Sequence, residues 1–171
     1  MARKTVIAIV LLLVVAVGVG GFLQLYRPSQ QTILNGPTPV PENKQYMMPV
    51  TPLDQLPKPD QTRFTDALRD AAQTIEPDYR IEEERMYVWP GGWDAIRNLS
   101  GEYLGDEFGF RQQARVETQV DGKDVDYVTW GSRNWLRRLF DDRIVLAVAY
   151  SDSINQGVRE RLLGYFVMRP S

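Results

Sequence analysis

Residues 111–130 read RQQARVETQVDGKDVDYVTW, and this stretch decides the fold class of the chain. Its first half alternates between two sets of side chains, a period of two that is typical of a strand with one buried face. Asp121-Gly122 follows, a dipeptide that favours a two-residue hairpin turn, and Val125 to Trp130 forms the return strand. The stretch therefore predicts an antiparallel hairpin. The side chains expected on one face of its first strand are Gln112, Ala114, Val116, Thr118 and Val120.

Three further strands are predicted around this hairpin. Ile144 to Tyr150 is a continuous apolar run, which suits a strand that is central or buried on both faces. Tyr79 to Trp89 and Val158 to Met168 complete a set of five. Because the later strands join through short turns, we expect mostly antiparallel neighbours.

Helical periodicity marks two or three segments between the strands. The apolar face of the first comprises Phe64, Ala67, Leu68, Ala71 and Ile75. A second amphipathic segment begins at Trp93, and a short one begins after Ser132. With the helices on one face of the sheet, the sequence predicts an α+β domain over residues 61–171.

The N-terminus carries an uncharged apolar run, residues 6–23, VIAIVLLLVVAVGVGGFL. Eighteen residues at the helical rise cover about 27 Å, close to the hydrocarbon thickness of a bilayer. Arg3 and Lys4 precede the run, so the positive-inside rule predicts a cytoplasmic N-terminus and an extracytoplasmic C-terminal domain. Residues 1–26 are thus predicted to be a single-pass anchor in the cell membrane, with residues 5–26 in contact with lipid. A cleaved signal peptide is the alternative, although the run lacks a clear Ala-x-Ala site.

Residues 27–60 contain eight of the eleven prolines and are predicted to form a semi-extended tether, which at full extension would reach on the order of 100 Å. Apolar side chains at Tyr46, Met47 and Met48 interrupt its polar character. They are candidates for docking into a groove, either on this chain's own domain or on a partner.

The composition excludes several kinds of chemistry. The chain has no cysteine and no histidine, which removes thiolate nucleophiles, disulfides, and the usual general base and metal ligand. No phosphate-binding loop or nucleophile elbow occurs. Asp121, Asp124 and Asp126 lack the spacing of a calcium loop. The net charge of −2 argues against nucleic acid as a partner. We therefore expect no cofactor and no metal.

Carboxylate chemistry is the one catalytic class left open, because glycoside hydrolysis needs only two acids. Glu82, Glu83 and Glu84 are consecutive, and Glu84 with Asp94 or Glu102 is the candidate pair. The alternative is that this acidic run pairs with Arg80 and Arg85 at the surface.

Arginine and tryptophan cluster in one place and tryptophan alone in a second, and both residue types are enriched at interface hot spots. The residues concerned are Trp130, Arg133, Trp135, Arg137 and Arg138, with Trp89 and Trp93 at a second turn. The alternatives are tryptophans that close the core beside solvated arginines, or an arginine patch against lipid headgroups.

The leading hypothesis is a membrane-anchored, non-catalytic interaction module or accessory subunit of a cell-envelope complex, with a protein partner in or on the membrane. A membrane-tethered hydrolase of an envelope polymer such as a glycan, using two carboxylates, is the alternative. A ligand sensor that signals through a membrane partner is a third hypothesis.

Overall fold

The computed structural model describes residues 15, 17–21, 33–34, 51–89, 93–120, 122–139, 141–154 and 158–171. The helices are α1 (Lys58–Ile75), α2 (Trp93–Phe108) and α3 (Trp135–Arg138). The strands are β1 (Thr51–Pro52), β2 (Tyr79–Trp89), β3 (Arg111–Val120), β4 (Lys123–Gly131), β5 (Ile144–Ile154) and β6 (Val158–Pro170). The predicted α+β class with a mostly antiparallel sheet is confirmed.

The described strands form one sheet in the order β1-β2-β6-β5-β4-β3, and every neighbouring pair is antiparallel. Strands β3 to β6 are neighbours in chain order, as their short connections predicted. Strand β2 instead pairs with β6, so the chain crosses the sheet through α2 before β3 begins. The sixth strand, β1, comes from the proline-rich stretch, where its two residues pair with Tyr87 and Val88.

The predicted hairpin is present as β3 and β4. Val120 pairs with Lys123, and Gly122 has φ of 75°, the left-handed conformation that a tight hairpin turn requires. A bulge between Gln112 and Ala114 shifts the register. Gln112 is consequently opposite Trp130 while Ala114 is opposite Thr129, so the expectation that Gln112 shares a face with Ala114 was wrong.

Helices cover both faces of the sheet, which corrects the expectation of one face. Helix α1 packs Phe64 and Leu68 against one core, and α2 packs Ile96 and Leu104 against the other. The reason lies in β5, where all residues from Ile144 to Tyr150 are buried and alternate between the two cores. A strand that is apolar on both sides needs a covering layer on each.

Three described residues of the predicted tether belong to the core: Leu53 packs with the residues that face α1, and Ile33 and Leu34 lie on the other side of the sheet. Ile33 and Leu34 are fully buried with the residues that face α2. Val15 and residues 17–21 are helical, while the remainder of the predicted anchor lies outside the described residues. No helix in the described ranges combines the length and apolar character that crossing a bilayer requires.

Candidate interaction surface

Helix α3 and the residue after it expose three large apolar side chains. Trp135 is 68% exposed, Leu139 69% and Leu136 40%. The Asn134 side chain caps the helix by accepting a hydrogen bond from the Leu136 amide at 2.9 Å. Arg133 and Arg138 are exposed beside them. These five residues (Arg133, Trp135, Leu136, Arg138 and Leu139) are called the α3 patch below. Solvent-exposed tryptophan and leucine beside arginine is a composition that interface cores favour.

Arg137 differs from its neighbours because it points inward. Its Nη1 donates to the Phe108 carbonyl at 2.6 Å, at the C-terminal end of α2. Gly109 follows in the left-handed conformation, with φ of 64°, and a Cβ there would collide with the Arg137 guanidinium. A guanidinium at a helix C-terminus is favoured by the helix dipole. Arg137 therefore joins α3 to α2, because its guanidinium binds the end of α2.

A buried ion pair holds the chain that leaves α3. Asp141 and Arg143 are each 4% exposed, and the carboxylate accepts hydrogen bonds from Nε at 2.7 Å and Nη2 at 2.9 Å. The Asp141 amide donates to the Arg137 carbonyl at 2.7 Å. Burial alone would lower the pKa of Arg143, but the hydrogen bond and charge of Asp141 raise it overall. The ion pair and this backbone hydrogen bond hold the chain where it leaves the α3 patch.

The other tryptophans predicted to bind a partner are Trp130, Trp93 and Trp89. Trp130 is 1% exposed and Trp93 is 7% exposed, and both belong to the core that faces α2. The alternative in which tryptophans close the core describes these two side chains, because β4 and α2 turn both toward the sheet interior. The side chain of Trp89 lies outside the described residues, as do Tyr46, Met47 and Met48.

A shallow pocket of about 350 Å³ adjoins the α3 patch. Three arginines from separate elements line it: Arg97 of α2, Arg111 of β3, and Arg133 of the α3 patch. Asn98 and Gln112 add amide groups, and Trp130 forms part of the wall. This arginine pocket was missed from sequence because its members lie up to 36 positions apart and meet only in the folded sheet.

The buried tether residues are held by Glu83. Its Oε1 accepts the Ile33 amide at 3.0 Å, and its Oε2 accepts the Leu34 amide at 2.8 Å. Glu83 is in register across the sheet with Val167, Val145 and Trp130. Trp135 follows Trp130 by five positions in the chain. The docked tether and the α3 patch therefore lie toward the same end of the sheet. The sequence signal was an adjacent apolar pair, Ile33 and Leu34, within the proline-rich stretch.

The candidate acid pairs do not face each other. Glu84 lies on the α1 side of β2, where Arg69 binds its carboxylate through Nε at 2.8 Å and through Nη2. Asp94 and Glu102 belong to α2, on the opposite face of the sheet. Glu82 pairs with Arg169 at 3.0 Å and with Arg80 at 3.6 Å. The alternative interpretation, in which the acidic run pairs at the surface, predicted the contact with Arg80. The prediction of Glu84 as a partner of either acid was wrong.

The described ranges contain no group of three or more histidine, cysteine, aspartate or glutamate side chains that could hold a metal ion. Asp121 lies outside these ranges, while Asp124 is exposed and accepts a hydrogen bond from Gln119 at 2.9 Å.

Comparison with known proteins gives no relative: no family model, no curated protein and no solved structure matches the chain. Its function is therefore argued from the residues themselves.

Proposed function

We propose that this chain is a membrane-anchored, non-catalytic interaction module that binds a protein partner through the α3 patch. It would act as an accessory subunit of a cell-envelope complex, with the N-terminus in the cytoplasm and the folded domain outside. The observation that carries the proposal is the exposure of Trp135 and Leu139 on a turn that Asn134, Arg137 and Asp141 hold in place.

The exposed side chains are not explained by the fold. Each leaves apolar area in water, and burying such area is worth about 25 cal/mol per Å². Trp135, Leu136 and Leu139 face solvent, whereas the charged side chains of Asp141 and Arg143, a few positions later in the chain, are buried. A contiguous apolar patch rimmed by arginines is typical of a protein-binding surface.

The docked tether supports a partner close to the membrane. The apolar run of the predicted anchor ends at Leu23, and the chain is fixed to the domain again at Ile33. Ten extended residues span at most about 35 Å, far less than the reach of a free 34-residue linker. A domain held at this distance meets membrane-proximal surfaces, and the α3 patch lies toward the end of the sheet where the tether docks.

The test is purification of the full chain from its native membranes after mild crosslinking, followed by native mass measurement. We expect the wild-type chain to carry a partner of defined mass at fixed stoichiometry. The double variant W135A/L139A should lose that partner while it keeps its own folded signature in circular dichroism.

Val116→Ser is the matched control, because Val116 is an exposed apolar residue on the β3 edge, 43% exposed and outside the α3 patch. It should retain the partner. A wild-type chain that stays alone at every concentration, or a partner held equally by W135A/L139A, would rule out this function for the patch.

A further inference from the structure

We propose that the arginine pocket is a binding site for a phosphate group, either free phosphate or the headgroup of a lipid. This site lies beside the α3 patch and shares Arg133 with it. It is a function additional to protein binding.

The charge in the pocket is concentrated and of one sign. Arg97, Arg111 and Arg133 line it, and no acidic side chain of the described residues is part of the lining. Arg133 donates to the Gln112 carbonyl at 3.4 Å, a long hydrogen bond. Arg97 has a weak link to Asp94, at 3.5 Å on the helix surface. Three guanidinium groups that line one pocket repel one another, and a bound anion would offset that repulsion.

The arginines are carried by elements that the fold fixes independently. Arg97 belongs to α2, whose Ile96 and Leu104 are fully buried. Arg111 begins β3 opposite Gly131, and the bulge at Gln112 turns that residue toward the pocket. The fold thus fixes the backbone positions of the three arginines, and ligand binding would order their side chains alone.

The walls leave room for an anion and limit its size. Gly101 faces Trp130, and a Cβ at position 101 would lie 3.5 Å from the indole Nε1. Because Gly101 lines the pocket, a long side chain there would occupy part of it. A volume of about 350 Å³ lies near the lower limit of small-molecule sites, so it suits a phosphate with a small attached group.

Phosphate fits this donor set better than carboxylate does. One arginine satisfies a planar carboxylate through two parallel hydrogen bonds. A tetrahedral phosphate offers oxygens in several directions, and arginines from three directions match it. The amide groups of Asn98 and Gln112 supply further donors.

The experiment uses the full chain in a non-ionic detergent. In one arm, inorganic phosphate is titrated at constant ionic strength, with chloride as the replaced ion, and heat is measured. In the other arm, short-chain phosphatidic acid in mixed micelles replaces inorganic phosphate, with phosphatidylcholine as the reference lipid. We expect saturable binding in at least one arm.

Arg111→Gln and Arg133→Gln should each weaken that binding by about tenfold to a hundredfold, the loss of one charge-assisted contact. Gly101→Leu keeps all three charges but occupies the space, and it should abolish binding. Arg63→Gln is the control, since Arg63 is an exposed arginine on α1 that stacks on Phe64 on the opposite face of the sheet. It should leave the Kd within about twofold of wild type, as for a surface change remote from the site.

The two arms of the experiment also distinguish free phosphate from a lipid headgroup as the ligand. Binding of inorganic phosphate that depends on Arg111 and Arg133 supports a site for soluble phosphate. Binding of phosphatidic acid alone, with the same dependence, supports a lipid headgroup. Absence of saturable binding in both arms, or equal losses in Arg63→Gln and Arg111→Gln, overturns the proposal.

Discussion

The carboxylate of Glu83 accepts the backbone amide of Leu34 at 2.8 Å, across 49 positions of the chain. The adjacent Ile33 amide donates to the other oxygen of the same carboxylate. One side chain of β2 thereby satisfies two backbone donors whose own side chains are buried in the core. Because buried amides without acceptors are costly, Glu83 decides whether this part of the chain stays docked.

Substitution of Glu83 by alanine should release this segment. The two amides lose acceptors worth about 1.5–3 kcal/mol each, so their hydrogen exchange should accelerate at least about tenfold. Amide exchange measured by mass spectrometry on peptides covering residues 30–36 checks this.

Glu84→Ala is the matched control for that experiment. Glu84 is the next residue, but its carboxylate binds Arg69 on the other face of the sheet. It should leave exchange at residues 33 and 34 unchanged. Equal acceleration in both variants would show that the docking does not depend on Glu83.

Asp141→Ala should destabilise the whole domain. It leaves the Arg143 guanidinium buried without its partner, and breaking such a pair costs about 3–5 kcal/mol. The free energy of unfolding from urea titration measures the loss. The comparison is Glu84→Ala, which breaks a partly exposed pair and should cost at most about 1 kcal/mol. Similar losses in the two variants would contradict the burial argument.

Tyr165 should make the domain sensitive to alkaline pH. Burial raises its pKa far above the ordinary value of about 10, and the hydrogen bond to Ser100, at 2.8 Å, lowers it only in part. The folded state therefore keeps the proton that the unfolded chain releases near pH 10. The resulting stability is complete below that pH and is lost as pH rises above it.

Tyr165→Phe removes this titration. Above pH 10 the wild-type free energy of unfolding should fall more steeply than that of the variant, by about 1.4 kcal/mol per pH unit. Urea titrations at several pH values between 8 and 11.5 give both slopes. Parallel curves over the whole range would show that Tyr165 does not contribute.

The sequence predicted the elements well where local pattern and turn chemistry agreed. Alternation and Asp121-Gly122 identify the β3–β4 hairpin, and the apolar face around Phe64 and Leu68 identifies α1. The run from Ile144 to Tyr150 already required two covered faces, although the helices were assigned to one. Strand order was not accessible, because the pairing of β2 with β6 joins segments about 80 residues apart and has no local signature.

The candidate site was only partly accessible for a related reason. Trp130 and Trp135 lie five positions apart in similar surroundings, yet one is buried and the other exposed. Strand β4 turns Trp130 toward α2, while Arg137 turns inward from α3 and leaves Trp135 outside. Residue type singled out Trp135 but not Leu136 or Leu139, and the packing of α3 determines which of these side chains face solvent.

The same contrast gives the last prediction, which separates binding from folding. Trp130→Ala should cost about 3–5 kcal/mol of stability, because it empties a large volume in a packed core. Trp135→Ala should change stability by less than about 0.5 kcal/mol, since the side chain is 68% exposed. Urea unfolding of both variants is the measurement. If Trp135→Ala were as destabilising as Trp130→Ala, the indole would serve the fold. If it is neutral, its exposure has no structural explanation, and the loss of a partner in W135A/L139A can then be attributed to the surface itself.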